Sequence, residues 1–408
     1  MAEKNIDGII LDIDGTIWNT TGIVADSWNE AIDKYCPAAP HVTKEELQKQ
    51  FGKTMKEIAD SVWPEQTEEE KFLLMKKCSE EELKALKEKE YDVTYPHVIE
   101  TIQILSKKLP LFIVSNCQDG YIEIVLEKNK IAQYITDTEC YGNTGKGKAE
   151  NIRLLKERNN LLKPVYVGDT LGDEKACKEA GIDFIWASYG FGKSENYLAQ
   201  LYDFGKLPAL LETLSMKEYA QDNSVPIMMD ESADFLCRWI LEHDVKNLLE
   251  IGTAIGYSAI RFAKVKDDVQ VTSIEIDLHR FKEAEKNVLA SGLKDRIKLI
   301  FGDALYANVE GPFDLIFIDG PKAQYQVFFE KYAPLLSEDG VIVTDNLSFH
   351  GMVDDNNLTH NYSTKKLVRK IARYVEWLKA NEKYETEIFE VGDRISVSRK
   401  KDKISVKQ

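Results

Sequence analysis

Apolar residues fall along this 408-residue chain in two textures: short unbroken runs such as LFIV and LIFI, and longer stretches where they recur every three or four positions. The first belongs to strands buried on both faces and the second to amphipathic helices, so their alternation predicts α/β layers on mainly parallel sheets. Runs at 6–12, 111–116, 164–169 and 184–187 predict the strands of one sheet, and runs at 247–251, 270–276, 297–301, 313–318 and 340–344 those of a second. Between the first two strands an insertion over 18–92 carries charged helical stretches such as TEEEKFLLMKKCSEEELKALKEKE, which predicts a helical cap whose charges coat solvated faces. The stretch DFGKLPALLETLSMKEYAQDNSVP closes the first pattern and a helix near Asp230 opens the second, which divides the chain into domains 1–213 and 214–408. Two alternating segments around Gly392-Asp393 predict a closing hairpin.

Composition narrows the picture further. The net charge of −16 excludes attraction to nucleic acid by the chain as a whole, so any such role needs a local basic surface. Cys36, Cys78, Cys117, Cys140, Cys177 and Cys237 are scattered without a CxxC pair, the pattern of reduced thiols. Acids enter the opening MAEKNIDGIILDIDG at once and no apolar run approaches bilayer length, which predicts a cytoplasmic protein without signal peptide or membrane span.

In the first half, IILDIDGTIWNT sets Asp12 and Asp14 at the carboxyl end of a strand. Two carboxylates held this close repel each other unless a cation neutralises them. Three features follow in chain order: Ser115-Asn116 at the end of LFIVSN, Lys148 at the start of KAENIRLLKE, and Asp169 with Asp173 in VYVGDTLGDEKACKEAG. Lys146 in TGKGKAEN is a rival lysine, although the helix start favours Lys148. Over residues 5–205 this arrangement resembles the haloacid dehalogenase superfamily, in particular its phosphatase branch with a helical cap between the first and second motifs. The resemblance implies that Asp12 attacks phosphorus to form an aspartyl-phosphate while Asp14 protonates the leaving group and then activates water. It implies Mg²⁺ between Asp12, the Asp14 backbone carbonyl and Asp169, with Asp173 orienting the lysine and the metal ligands. Ser115 would bond the phosphoryl oxygens and Lys148 balance their charge. An aspartate at position 14 marks the phosphatases of that superfamily, and a small phosphorylated metabolite is the implied substrate. The alternative is a non-catalytic docking module.

In the second half, NLLEIGTAIGYSAIRFA reads as a strand ending at Glu250, a turn with Gly252 and Gly256, and a helix opening near Ser258, a nucleotide-type strand-to-helix crossing. Glu275 ends the next strand, placed to accept from both hydroxyls of a ribose, and Asp303 follows the third, placed for an adenine amino group. Acidic strand ends without a phosphate site point to S-adenosylmethionine rather than NAD. Asp319 and Lys322 in FDLIFIDGPKAQY, with Asp345 and Asn346 in GVIVTDNLSF, add three hard oxygen ligands suited to Mg²⁺ and one lysine.

Over about residues 216–400 this half resembles the catechol and caffeoyl-coenzyme A type of metal-dependent O-methyltransferases, carried by IGTAIGYSAI, FIDGPKAQY, VTDN and KKLVRKIARYVEWL...GDRISVSRKK. Within that group it looks most like the bacterial branch that methylates 5-hydroxyuridine at the tRNA wobble position. The shared mechanism implies that the metal binds two adjacent substrate oxygens and Lys322 assists deprotonation before the oxyanion attacks the sulfonium methyl group. Lys365, Lys366, Arg369, Lys370 and Arg373 at helical spacing, and Arg399, Lys400, Lys401, Lys403 and Lys407 near the tail, offer basic surface for tRNA, against which the acids of SFHGMVDDNN count. His350 in that stretch is a candidate substrate contact. The expectation is a bifunctional enzyme of two Rossmann-like three-layer α/β domains, the first capped and the second a class I S-adenosylmethionine-dependent methyltransferase fold. A small catechol-like methyl acceptor stays open, as does a homodimer through the methyltransferase domain.

Overall fold

The first apolar run forms strand β1 (Gly8–Leu11), all of it buried. It lies parallel between β2 (Leu111–Ser115) and β4 (Pro164–Gly168). With β3 (Asp137–Cys140), β5 (Asp183–Ala187) and β6 (Ala199–Leu201) these make a parallel six-stranded sheet in the order β3-β2-β1-β4-β5-β6. Side chains alternate between its faces: Ile9 and Leu11 enter one apolar cluster and Ile10 another, so both faces are covered. β3 and β6 escape the apolar pattern because they are edges. β3 reads DTEC, and its Asp137 and Glu139 pair with Arg158 at 2.7 and 3.0 Å rather than filling a core.

Four cap helices follow β1: α1 (Thr21–Tyr35), α2 (Lys44–Gln48), α3 (Met55–Val62) and α4 (Glu68–Glu88). Thr43, Thr54 and Thr67 open the last three with reciprocal Thr–Glu capping boxes. The cap has its own core, in which Trp28 stacks on Trp63 at 5.9 Å between ring centroids. The buried stripe of α4 is Leu74, Met75, Cys78, Glu82, Ala85 and Leu86. Glu82 corrects the expectation that the charges of this stretch are all solvated.

The structure, a computed structural model, describes residues 6–355 and 358–401, and the chain divides into two compact units between Ser215 and Met216, inside helix Leu207–Asp222. The second unit holds β7 (Asn247–Ile251), β8 (Gln270–Glu275), β9 (Ile297–Phe301), β10 (Phe313–Ile318), β11 (Leu336–Thr344), β12 (Tyr384–Phe389) and β13 (Ile395–Lys400). Their order is β12-β13-β11-β10-β7-β8-β9, parallel except for the closing hairpin β12–β13, which adds antiparallel to β11. Leu315 and Phe317 point into one core cluster, Ile316 and Ile318 into the other. No described helix is long and apolar enough to cross a membrane, and all six cysteines are free.

Candidate active sites

In each sheet the chain leaves the central strand in one direction, then returns to build on its other side. That reversal opens a crevice beyond the carboxyl ends of the two strands at the switch, β1 and β4 in one unit, β7 and β10 in the other. A glycine lines each crevice where backbone must pass a carboxyl-bearing strand end. Gly15 has φ 83°, and a Cβ there would lie 2.2 Å from Asp169 Oδ2; Gly252 has φ 106°, and its Cβ would lie 2.5 Å from the Asp319 carbonyl.

In the first crevice Asp12 leaves β1, Ser115 ends β2, Asp169 leaves β4 and Lys148 opens helix Lys148–Arg158, all four buried. Lys148 Nζ donates to Asp12 Oδ2 at 2.9 Å and to Asp173 Oδ1. Lys146 instead pairs with Glu150 at 2.8 Å on the surface, so the geometry joins Lys148 to the cluster. Burial acts against the Lys148 ammonium, but the Asp12 and Asp173 charges outweigh it and hold its pKa well above the usual lysine value. Asp173 Oδ2 accepts from the Thr170 hydroxyl at 2.7 Å and from the Thr170 and Asp169 amides, which leaves Asp173 as the group that positions its neighbours.

Oxygens of Asp12, Asp169 and Asp173 lie within 4.8 Å of one another, and Asp12 Oδ1 and Asp169 Oδ1 are buried without a hydrogen-bond partner. Burial, with the neighbouring carboxylates, raises the pKa of Asp12 to about 7 and that of Asp169 well above the carboxylate range. Orphaned hard oxygens that resist ionisation without a counter-charge fit a divalent cation. The Asp14 side chain faces away from that cluster's bonds: its Oδ1 accepts from Tyr121 at 2.7 Å, Thr20 at 3.1 Å and Trp18 at 3.2 Å, and burial lifts its pKa to about 6 despite them. All three bonds fall on Oδ1 and none on Oδ2. Sequence reasoning missed Tyr121, Gln118 and Glu82, which share the cavity of Asp12 and Asp14. Glu82 and Tyr121 lie in helices and Gln118 in the loop after β2, none of them in a motif, so the sequence carried no signal for the three.

The second crevice opens into a cavity of about 620 Å³ whose wall includes Gly252, Glu275, Asp303, Asp319, Lys322 and Asn346. Glu275 accepts from the Ala254 amide at 2.7 Å and the Asp277 amide at 2.8 Å, and Asp303 accepts from the Leu305 amide at 2.8 Å. Three members of the expected cofactor set are placed differently. Glu250 is wholly buried, its carboxylate taken by the hydroxyls of Ser258 and Ser273, and Gly256 faces Ala284 of helix Leu278–Ala290. None of the three is among the residues that line the cavity. The strand-end position gave no warning, because alternation decides which side of the sheet a side chain takes.

Asp345 and Asn346 follow β11, with Asn346 at φ 58°. Asp345 Oδ1 accepts from the Asn346 amide at 2.7 Å and from Ser232, while Oδ2 has no partner. Burial and the Asp345 charge raise the pKa of Asp319 to about 8, and burial raises that of Asp345 to about 6. This donor set, too, fits a divalent cation. Lys322 Nζ donates to Asn346 Oδ1 at 2.5 Å and to the Tyr325 hydroxyl at 3.4 Å, which in turn donates to the Asp345 carbonyl. Asp393, read from sequence only as a turn residue, joins the cavity wall and accepts from the His350 amide at 2.6 Å. His350 also reaches that wall.

Helix Tyr362–Lys379 contributes Leu367 to the wall. Beside it Lys366, Arg369, Lys370 and Arg373 are exposed, and Lys365 is half-buried. Asp354 of the acidic stretch is paired by Arg394 at 2.9 Å. The tail cluster is less free than expected: Arg399 lies over the Trp239 ring, Lys400 donates to the Leu336 carbonyl and Lys401 to that of Asn381. Lys403 and Lys407 lie outside the described residues.

Residues 9–187 match the haloacid dehalogenase-like hydrolase family and residues 205–401 the O-methyltransferase family, both families of enzymes. A catechol O-methyltransferase of Niastella koreensis is 35% identical over 144 residues, which span 33% of this chain and 62% of that protein. A solved Staphylococcus aureus structure, assigned as a caffeoyl-CoA O-methyltransferase, is 37% identical, with 46% of this chain and 92% of that one covered and a TM-score of 0.45. A predicted phosphoglycolate phosphatase of Haemophilus somnus is 19% identical, with 51% and 99% covered and a TM-score of 0.46.

Proposed function

Starting from a chain that is a haloacid dehalogenase-like hydrolase domain followed by an O-methyltransferase domain, we propose a bifunctional enzyme: a Mg²⁺-dependent phosphomonoester hydrolase and a metal-dependent O-methyltransferase that converts wobble 5-hydroxyuridine of tRNA to 5-methoxyuridine. The observation that carries both activities is that each switch-point crevice gathers aspartates with orphaned buried oxygens beside one lysine.

In the hydrolase, Asp12 attacks the phosphorus and the ester oxygen leaves, protonated by Asp14. Asp14 then takes a proton from water, which attacks the aspartyl-phosphate and frees phosphate and Asp12. A pKa near 6 suits a group that must give and then take a proton near neutrality. Lys148 offsets phosphoryl charge, Ser115 bonds its oxygens and Asp173 holds the lysine. A Mg²⁺ held by Asp12, Asp169 and the Asp14 carbonyl would supply the remaining charge neutralisation.

In the methyltransferase, Glu275 and Asp303 present acceptors to the ribose and adenine of S-adenosylmethionine, in a cavity of the size such ligands need. The cofactor supplies the methyl group, and a divalent cation, which Asp319, Asp345 and Asn346 would hold, would add to the acidity of the attacking hydroxyl. Lys322 takes that hydroxyl's proton, held in place by Asn346 and Tyr325. 5-Hydroxyuridine carries a hydroxyl beside a carbonyl, the adjacent oxygen pair this chemistry needs, as a catechol does. The exposed basic face of helix Tyr362–Lys379 beside the cavity favours the tRNA.

The test is to incubate the protein and labelled cofactor with unfractionated tRNA lacking the methyl group, digest it and identify the labelled nucleoside. 5-Methoxyuridine is expected. Label on a ribose, on another base or only on added catechols would overturn the tRNA assignment and leave the methyltransferase one intact.

A further inference from the structure

The inward stripe of α4 is apolar except at Glu82, which is 4% exposed and lines a cavity of about 40 Å³ with Asp12, Asp14, Trp28, Asn116 and Gln118. An apolar residue there would complete the stripe without the cost of burying a carboxylate. The donors around it are already engaged. Trp28 Nε1 donates to Glu82 Oε2 at 2.7 Å, Gln118 Nε2 to Glu82 Oε1 at 3.0 Å, and Asn116 Nδ2 to the Gly52 carbonyl at 2.8 Å. These bonds also set which way each amide points.

The acceptors are left over. Asn116 Oδ1 and Gln118 Oε1 are buried without a partner, and a carboxylate has room for about four hydrogen bonds, of which Trp28 and Gln118 fill two. Burial pushes the Glu82 pKa up to about 7 against the pull of those two bonds, as for a carboxylate without a cation at hand. Lys148 is held by Asp12 and Asp173, and Lys53, on the same wall, is exposed and donates to Gln50 at 2.8 Å. Tyr121 donates to Asp14, and Ser115 serves the phosphoryl oxygens in the reading above. A wall of vacant acceptors gains from a partner that donates hydrogen bonds and loses against one that brings more negative charge.

We propose that Glu82, with Gln118 and Asn116, selects the leaving group of the hydrolase, favouring small phosphate esters whose alcohol carries hydroxyl or ammonium donors over those that carry a carboxylate. This rests on the phosphatase reading. The full-length protein with Mg²⁺ is assayed for kcat/KM on p-nitrophenyl phosphate, glycerol 3-phosphate, phosphoethanolamine and phosphoglycolate. No hydrolysis of any of the four overturns the phosphatase reading and this proposal together. Where hydrolysis is found, one donor ester should exceed phosphoglycolate at least tenfold, and which one does so separates hydroxyl from ammonium recognition. Glu82→Gln should shrink that ratio at least tenfold, mainly through KM. Glu82→Leu, which completes the apolar stripe, takes its place if the Gln variant does not fold. Phosphoglycolate turned over as well as both donor esters, or a ratio unchanged in the variant, overturns the selectivity while leaving the phosphatase reading in place.

Discussion

Glu250 is a carboxylate that the sequence offers as a cofactor contact and the structure buries completely, bonded only through neutral hydroxyls of Ser258 and Ser273. Burial raises its pKa from 4.5 to about 7, with the Glu275 charge adding to it and the two hydroxyl bonds opposing. The folded state therefore holds a proton that the unfolded chain releases between roughly pH 4.5 and 7. The stability that goes with this proton is fully present below about pH 4.5 and lost as pH rises through 7. At about 1.4 kcal/mol per unit, the displacement costs about 3 kcal/mol at pH 8 and less than about 1 kcal/mol at pH 5.

Glu250→Gln keeps the shape and has no proton to lose. Its amide can donate to Ser273 while the Ser273 hydroxyl turns to Thr253, 2.5 Å away. In scanning calorimetry the methyltransferase unit is the transition that S-adenosylmethionine shifts upward. At pH 8 the variant should melt about 6–12 °C above the wild type, since 1 kcal/mol moves a domain of this size by about 2–4 °C, and the gap should nearly close at pH 5. A gap that does not change with pH, or a variant that melts lower at pH 8, would refute the ionisation argument. A tenfold loss of cofactor affinity would return Glu250 to the binding site.

Asp12→Asn should abolish ester hydrolysis and leave methyl transfer unchanged; equal hydrolysis by the variant removes Asp12 from the nucleophile's role. Lys148→Met strands Asp12 and Asp173 as a buried like-charge pair and should destabilise the hydrolase unit by about 3–5 kcal/mol in chelator, whereas Lys146→Met should stay within about 0.5 kcal/mol, both read from denaturant unfolding. Asp345→Ala should stop methyl transfer while calorimetry still registers S-adenosylmethionine, and normal turnover would dismiss the metal site. Neutralising Lys366 and Arg369 together should lower the salt slope of tRNA binding by about 1–2, against no change if that face is merely solvated.

From the order of residues alone came the two sheets, the cap and most of the strand-end chemistry, because the central strands are apolar runs buried on both faces and a polar residue just past such a run must sit in the crevice. Asp12, Ser115, Asp169, Asp319 and Asn346 were legible for that reason. What only the tertiary structure decided was everything that depends on which neighbour comes near in space. Lys148 and not Lys146 meets Asp12; Glu250 turns into the interior while Glu275, on the next strand, reaches the cavity; Asp393 comes from a distant hairpin to bond the His350 backbone. The edge strand β3 and the buried Glu82 belong with these, since a strand with one neighbour needs little apolar content and a helix shows its inward charge only once it is packed. Local pattern sets periodicity and burial on average. The pairing of particular charges and orphaned oxygens is set by contacts between residues far apart in the chain, which no local pattern encodes.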